Sequence, residues 1–163
     1  MPVTLADLMY AAIMDKEIKI HAAILHHEEK IDLIPSDISL SAIELSLGNA
    51  MSREFILKNC LNTVKNEYDY ILIDAPAGIG KGIESILELV NRCIVVTHPL
   101  WVSLRNGARM IQVCQEYNIR DYAIAFNAVP IDGEDIHLYD MLEVLRAEYV
   151  GAIIPYDEDI LTY

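Results

Sequence analysis

Short apolar runs punctuate the second half of the chain, at residues 70–74 (YILID), 93–97 (CIVVT), 122–126 (YAIAF) and 150–154 (VGAII). Nearly continuous apolar runs of this length suit strands buried on both faces, as in a parallel sheet. Between the runs, apolar residues recur at helical spacing. Ile83, Ile86, Leu87 and Val90 mark one helix; Leu104, Ala108, Ile111 and Cys114 mark the next; Leu138, Leu142 and Leu145 mark a third. Strand and helix alternating in this way predict βαβ units with right-handed crossovers. The expected class is α/β: three layers, a mostly parallel sheet with helices on both faces.

The first 68 residues are less regular. Thr4 is placed to cap a helix over residues 5–14, with Asp7 in the capping-box position usually taken by Glu or Gln. Residues 31–34 (IDLI) read as a strand stopped by Pro35. Ser39 or Ser41 then opens helical sequence that runs to about Lys65, with a break near Gly48 and Asn49. Ser52, followed by Phe55, Ile56 and Leu57, is a second helix start. There is no internal repeat, low-complexity tract or clear linker, so the expectation is a single domain over 1–163.

Composition narrows the function classes. The chain has 163 residues, 53% of them hydrophobic, so a sizeable core is expected. Its formal charge is −13, from 25 acids against 12 Lys and Arg. That balance disfavours binding of DNA or an anionic membrane by this chain, because counterion release needs clustered cations. Arg105 and Arg109 form only a single pair on one helix face. Cys60, Cys93 and Cys114 are widely spaced among apolar residues, with no CxxC, and read as reduced, buried thiols. The start, MPVTLADLMY, has no basic leader, and no apolar run approaches the ~20 residues that span a bilayer. A soluble, cytoplasmic protein is expected.

Candidate chemistry concentrates in Tyr68–Gly82 (YDYILIDAPAGIGKG), where a hydrophobic run ends in Asp74 and a Pro and Gly turn leads into a helix. An acid at the carboxyl end of a parallel strand sits where open α/β sheets bind ligands. In a phosphate site such an Asp would hold Mg²⁺, usually through water. Gly78 and Gly80 would let backbone N–H groups approach a terminal phosphate. The plainer alternative is a strand-to-helix turn in which Asp74 merely caps. The segment APAGIGKG (75–82) imitates GxxxxGK[ST], but Ala75 replaces the first Gly and Gly82 replaces the Ser or Thr that ligates Mg²⁺. It is not a P-loop.

The order of motifs resembles a known family. DYILIDAPAGIG resembles the Walker B and switch II segment of the MinD group within the deviant-Walker (SIMIBI) P-loop ATPases, which also include the ParA/Soj partition proteins. VTHPLWVSLRNGARM resembles the family's following strand and helix, AIAFNAV its strand ending in Asn, and VGAIIPYDEDI its LGxIPxDxxV turn. TLADLMYAAI, ILHHEEKIDLIPSDISLSAIELSL and MSREFILKNCL are more similar to ParA/Soj-like proteins. Residues 1–68 thus resemble one branch and 69–163 the other. The resemblance implies a P-loop NTPase-like fold and a role for ATP or ADP with Mg²⁺. It implies that Asp74 lies near the metal, reached through water, that the Gly78 amide senses the γ-phosphate, that Asn127 contacts adenine and that Pro155 lines the base. It also implies partition or division-site positioning, a homodimer and regulatory protein partners.

Two elements of that family pattern are not found in these residues: the KGGxGKT loop with its strand, and the C-terminal helices. Nucleotide hydrolysis by this chain alone is therefore not expected. In the family the P-loop strand lies between the strands matching 70–74 and 93–97. The expectation here is direct pairing of those two, setting Asp74 beside Thr97, since unmet backbone groups in a buried gap cost ~1–3 kcal/mol each.

Other features have plain readings. His26-His27-Glu28-Glu29 lacks HxxxH or HExxH spacing and reads as a solvated turn between two strands. Lys81 is an exposed lysine at a helix start, and Trp101 a packing anchor where a helix begins. Asp132, Glu134 and Asp135 flank Gly133 without EF-hand spacing and read as a solvated loop. Two function classes result: a portion of an ATPase that is inert alone, or a nucleotide-independent interaction module.

Overall fold

A computed structural model describes residues 2–47, 54–130, 137–148 and 150–159. The expected break near Gly48, the Ser52 helix start and the acidic 132–135 loop fall outside these. The described chain divides into two compact units: one is built from residues up to Pro76 with Gly80–Leu89, the other from Ala77–Ile79 and the residues from Val90 on.

The first unit opens with helix α1 (Leu5–Ile13). The capping box is present: the Asp7 N–H donates to Thr4 Oγ1 at 3.4 Å, and the Thr4 N–H donates to Asp7 Oδ2 at 2.9 Å. Asp serves in the Glu position because its shorter carboxylate still reaches the cap amide. Thr4→Ala removes this reciprocal pair and is expected to cost about 1 kcal/mol, read as a lower urea midpoint of the first unit. Ala6, Leu8 and Met9 on the buried face of α1 pack with Ile20, Ala23, Ile43, Cys60 and Val64. These come from a short 3₁₀ turn (Ile20–Ala22) and from helices α2 (Ser39–Leu47) and α3 (Glu54–Asn62), with Val64 just beyond α3.

Between these helices, β1 (Leu25–His26) and β2 (Asp32–Leu33) form a small antiparallel hairpin. The His27–Ile31 turn is closed by the His27 N–H donating to Ile31 O at 2.9 Å. His27, Glu28 and Glu29 thus lie in the turn between the two strands, and His26 ends β1. His26 Nδ1 lies 2.7 Å from Asp32 Oδ1, and Tyr68 donates its hydroxyl to Asp32 Oδ2 at 2.5 Å. That hydroxyl bond lowers the Asp32 pKa, with help from His26, and pushes Tyr68 up to about 12. A lowered carboxyl and a raised phenol both favour the folded hairpin at neutral pH. The contribution is lost in acid as Asp32 takes its proton and in strong base as Tyr68 ionises.

Residues 70–74 depart from expectation. They form no strand and pair with no other segment among the described residues. Direct pairing with 93–97, and with it the setting of Asp74 beside Thr97 across a ladder, is therefore corrected. The physical reason lies in exposure: Tyr70 and Leu72 are 90% and 88% exposed, so water reaches this backbone. The cost that would force closure applies only to a buried gap. Helix α4 (Lys81–Leu87) follows, with Gly80 as its extended N-cap.

The second unit is a parallel sheet ordered β3 (Arg92–Thr97), β4 (Asp121–Val129), β5 (Ala152–Pro155). Arg92 pairs with Asp121 and the register continues to Thr97 opposite Phe126. Helices α5 (Trp101–Glu116) and α6 (Leu138–Leu145) supply Leu104, Ile111, Met141 and Leu145 to a core completed by Val95, Ile124 and Phe126. Parallel strands need crossover connections, and α5 and α6 provide them in turn. Gly107 sets how closely α5 approaches its neighbours. A Cβ there would lie 3.0 Å from Leu145 Cδ2 and 3.6 Å from Thr97 Oγ1. Trp101 does not anchor the helix as expected. It is 50% exposed, and Leu104, fully buried one turn later, does the packing.

Candidate functional site

The carboxyl ends of β3, β4 and β5 gather the second unit's polar features at one end of the sheet. At the end of β3, Thr97 is 2% exposed yet satisfied: its hydroxyl lies 2.9 Å from Ser103 Oγ. Ser103 Oγ also accepts from the His98 N–H at 3.0 Å, fastening the β3–α5 turn to the first turn of the helix. This Thr-Ser clasp was not foreseen from sequence. A hydroxyl pair six residues apart gives no periodic signal.

Asn127 lies where β4 loses its regular register with β5. The shift falls between Phe126, which pairs with Ile153, and Val129, which pairs with Pro155. Ala128 takes φ 53°, the left-handed region, and its N–H donates to Asn127 Oδ1 at 3.0 Å. The Tyr156 N–H donates to Val129 O at 2.8 Å, resuming the connection beyond the irregularity. A bulge of this kind re-aims the side chain beside it. Asn127 is half-buried, and its carboxamide carries two N–H donors and a second oxygen lone pair beyond the bond to Ala128. Pro155, which has no N–H to offer the ladder, ends β5 and is exposed. Asn127 and Pro155 thus flank the same β4–β5 junction.

Gly78 also belongs to the second unit. It takes φ 96°, which L side chains rarely adopt, and a Cβ built there would meet nothing within 4 Å. Glycine is required by conformation at this position, and the space beside it is open. Asp74 belongs to the first unit and is exposed, as are Ala75 and Pro76 after it. Gly80 likewise faces open space as the N-cap of α4. Among the described residues no group of three or more His, Cys, Asp or Glu could hold a metal ion. A metal reached through water from one carboxylate would leave no such cluster.

The family of AAA domains matches residues 3–123, from just before the capping threonine through β3 and α5 to the start of β4. The chain belongs to it, as a MinD/ParA P-loop ATPase family member. It is 28% identical over 153 residues to the septum site-determining protein MinD of Bacillus subtilis, covering 91% of this chain and 56% of that protein. Among solved structures, it resembles the MinC:MinD cell division protein complex of Aquifex aeolicus, with TM-score 0.77 and 22% identity over 98% of this chain and 61% of that one. A ParA family ATPase from Chlorobium tepidum aligns with TM-score 0.74 and 25% identity, covering 97% and 62%. MinD from Pyrococcus horikoshii complexed with Mg-ADP aligns with TM-score 0.74 and 23% identity, covering 96% and 60%. The α/β, P-loop NTPase-like fold class expected from sequence therefore holds. This chain spans little more than half the length of the Bacillus relative. No helix among the described residues is long and apolar enough to cross a membrane.

Proposed function

We propose that these residues form the switch II and base-binding portion of a cytoplasmic MinD/ParA-type ATPase of the division-site or partition class. The observation that carries this reading is the bulged β4–β5 junction, which sets Asn127 and Pro155 together at the carboxyl end of a parallel sheet in a chain of this family. Asn127 would read the adenine edge and Pro155 would line the base. The Gly78 amide would face the terminal phosphate, and Asp74 would hold Mg²⁺ through a water molecule. Open space at Gly78 and an exposed Asp74 carboxylate fit those parts of Mg-ATP. No residue here supplies the lysine and hydroxyl of a GxxxxGK[ST] loop. Mg²⁺, when bound, would neutralise phosphate charge; the chain's own residues orient the base and the terminal phosphate.

A strand carrying such a loop would find its place beside β3, which forms one edge of its sheet. Until one does, hydrolysis does not proceed and affinity is weak, because the phosphates anchor most of the binding in such sites. Titration calorimetry with ATP and ADP, with and without Mg²⁺, tests this. Binding on the order of high micromolar or weaker is expected, and Asn127→Ala should weaken it by about fivefold to tenfold, ~1 kcal/mol for one lost hydrogen bond. Nanomolar binding by the parent, or the same affinity in the Ala variant, would remove the support.

One observation favours a second reading. Leu100, Trp101 and Val102 at the start of α5 are 64%, 50% and 74% exposed. Together they would suit an interface with a second copy or a regulatory protein, used without nucleotide. Silent calorimetry combined with dimers in sedimentation would select that reading.

A further inference from the structure

The irregular strand end that carries Asn127 also settles which way round its carboxamide faces. The register of β4 against β3 ends at Phe126, opposite Thr97. Against β5, β4 advances from Phe126 to Val129 while β5 advances only from Ile153 to Pro155, so β4 holds one extra residue. Asn127 and Ala128 stand together in that interval, between the paired positions. A backbone N–H there needs an acceptor from outside the regular ladder. Ala128 turns left-handed, at φ 53°, and donates its N–H to Asn127 Oδ1 at 3.0 Å. An N–H can bond only the oxygen of a carboxamide, never its NH2, so this bond fixes the orientation of the group. Oδ1 is turned onto the chain's own backbone, and Nδ2 with its hydrogens is the end left for a ligand. The oxygen's remaining lone pair belongs to an atom held against the main chain, which cannot swing toward a ligand without giving up the bond to Ala128.

We propose that Asn127 selects its base as a hydrogen-bond donor alone. The Ala128 N–H is the positioning group, and Nδ2 donates to a ring nitrogen of a purine, leaving the exocyclic amino group of adenine unread. This inference rests on the base-binding reading of the β4–β5 junction and names what that site selects. A carboxamide free to turn would bond adenine twice, accepting from the 6-amino group and donating to a ring nitrogen beside it. Held by Ala128, it keeps the donation and loses the acceptance. The ligand class is a purine nucleotide recognised through a ring acceptor.

The test titrates the whole chain with ATP and with purine riboside 5′-triphosphate, which keeps both ring acceptors of that edge and lacks only the 6-amino group. Saturation-transfer NMR on the base protons reads each dissociation constant. The two are expected to agree within about threefold, because a hydrogen bond to the amino group would part them by about fivefold or more. Two variants separate reading from framework. Asn127→Asp keeps an oxygen for the Ala128 N–H but has no N–H to offer. It should therefore hold the parent's urea midpoint and yet bind both nucleotides about fivefold to tenfold more weakly. Asn127→Ala should lose the same affinity and stability as well. If the variants do not fold, the comparison of the two nucleotides on the parent chain decides alone. A drop of about fivefold or more for the nucleotide without the amino group, or parent-like affinity in Asn127→Asp, would overturn the donor-only selection while leaving base binding in place. Should neither nucleotide bind at millimolar concentration, base binding at this junction fails and this inference falls with it.

Discussion

Incubated with Mg-ATP, the purified chain is expected to release phosphate no faster than a protein-free blank. Phosphoryl transfer leaves a protein little covalent chemistry to do, so rate comes from positioning and from charge placed around the phosphates. Well-oriented reactants gain an advantage of about 7–11 kcal/mol over the same groups free in solution, and a site that cannot hold the phosphates forfeits it. This chain offers one acid, Asp74, and a glycine amide at 78, but no Walker A lysine or hydroxyl. A coupled phosphate assay over hours suffices. Steady release that vanishes in Asp74→Ala would show that these residues hydrolyse ATP unaided and would end the proposal.

The largest stability effect is expected at Phe126. It is the largest fully buried side chain among the described residues, at 0% exposure, set in the middle strand and packed with Val95 and the helices. Phe126→Ala removes the ring and leaves a cavity that flanking strands cannot close, a loss of about 3–5 kcal/mol. Against a typical domain stability of about 5–15 kcal/mol, that is a large share of the whole. The single tryptophan, Trp101, begins α5 in the same unit, so its fluorescence in urea reports this unfolding specifically. Tyr139→Ala, at a residue 84% exposed, should stay within about 0.5 kcal/mol of the parent. Equal midpoints for the Phe126 variant and the parent would contradict the core described above.

Much of the second unit was legible because burial writes itself into sequence. The runs at 93–97, 122–126 and 150–154 lie within or overlap β3, β4 and β5, and the 3.6-residue recurrences of Leu104 and Leu138 mark α5 and α6. The run at 70–74 carries an equally strong pattern and yet makes no strand. Hydrophobic periodicity records a demand for burial; it does not say which partner supplies it, and a strand exists only by its ladder. The capping box at Thr4 was readable because its two hydrogen bonds are local. The turn at Asn127–Ala128 was not, since Ala at φ 53° breaks the usual preference for Gly or Asn. The left-handed residue is held there by the side chain before it and by β5, neither visible as a motif. Asn127 and Pro155 were singled out by resemblance, and the structure adds that they flank one junction.

The outer edge of β3 bears on how this chain behaves in concentrated solution. Among the described residues no strand pairs with that edge, and an edge of this kind, in a strand whose Ile94 and Val96 are 55% and 60% exposed, is a template for other edges. Bulges, prolines and inward-pointing lysines are the usual guards, and β3 (RCIVVT) carries none of them. What stands in their place is mutual repulsion between copies that each carry a charge of −13. That barrier reaches about 10 Å at 0.1 M salt and only about 3 Å at 1 M. Raising the ionic strength therefore weakens that barrier, and salting-out is the step in any purification where copies would begin to zip together.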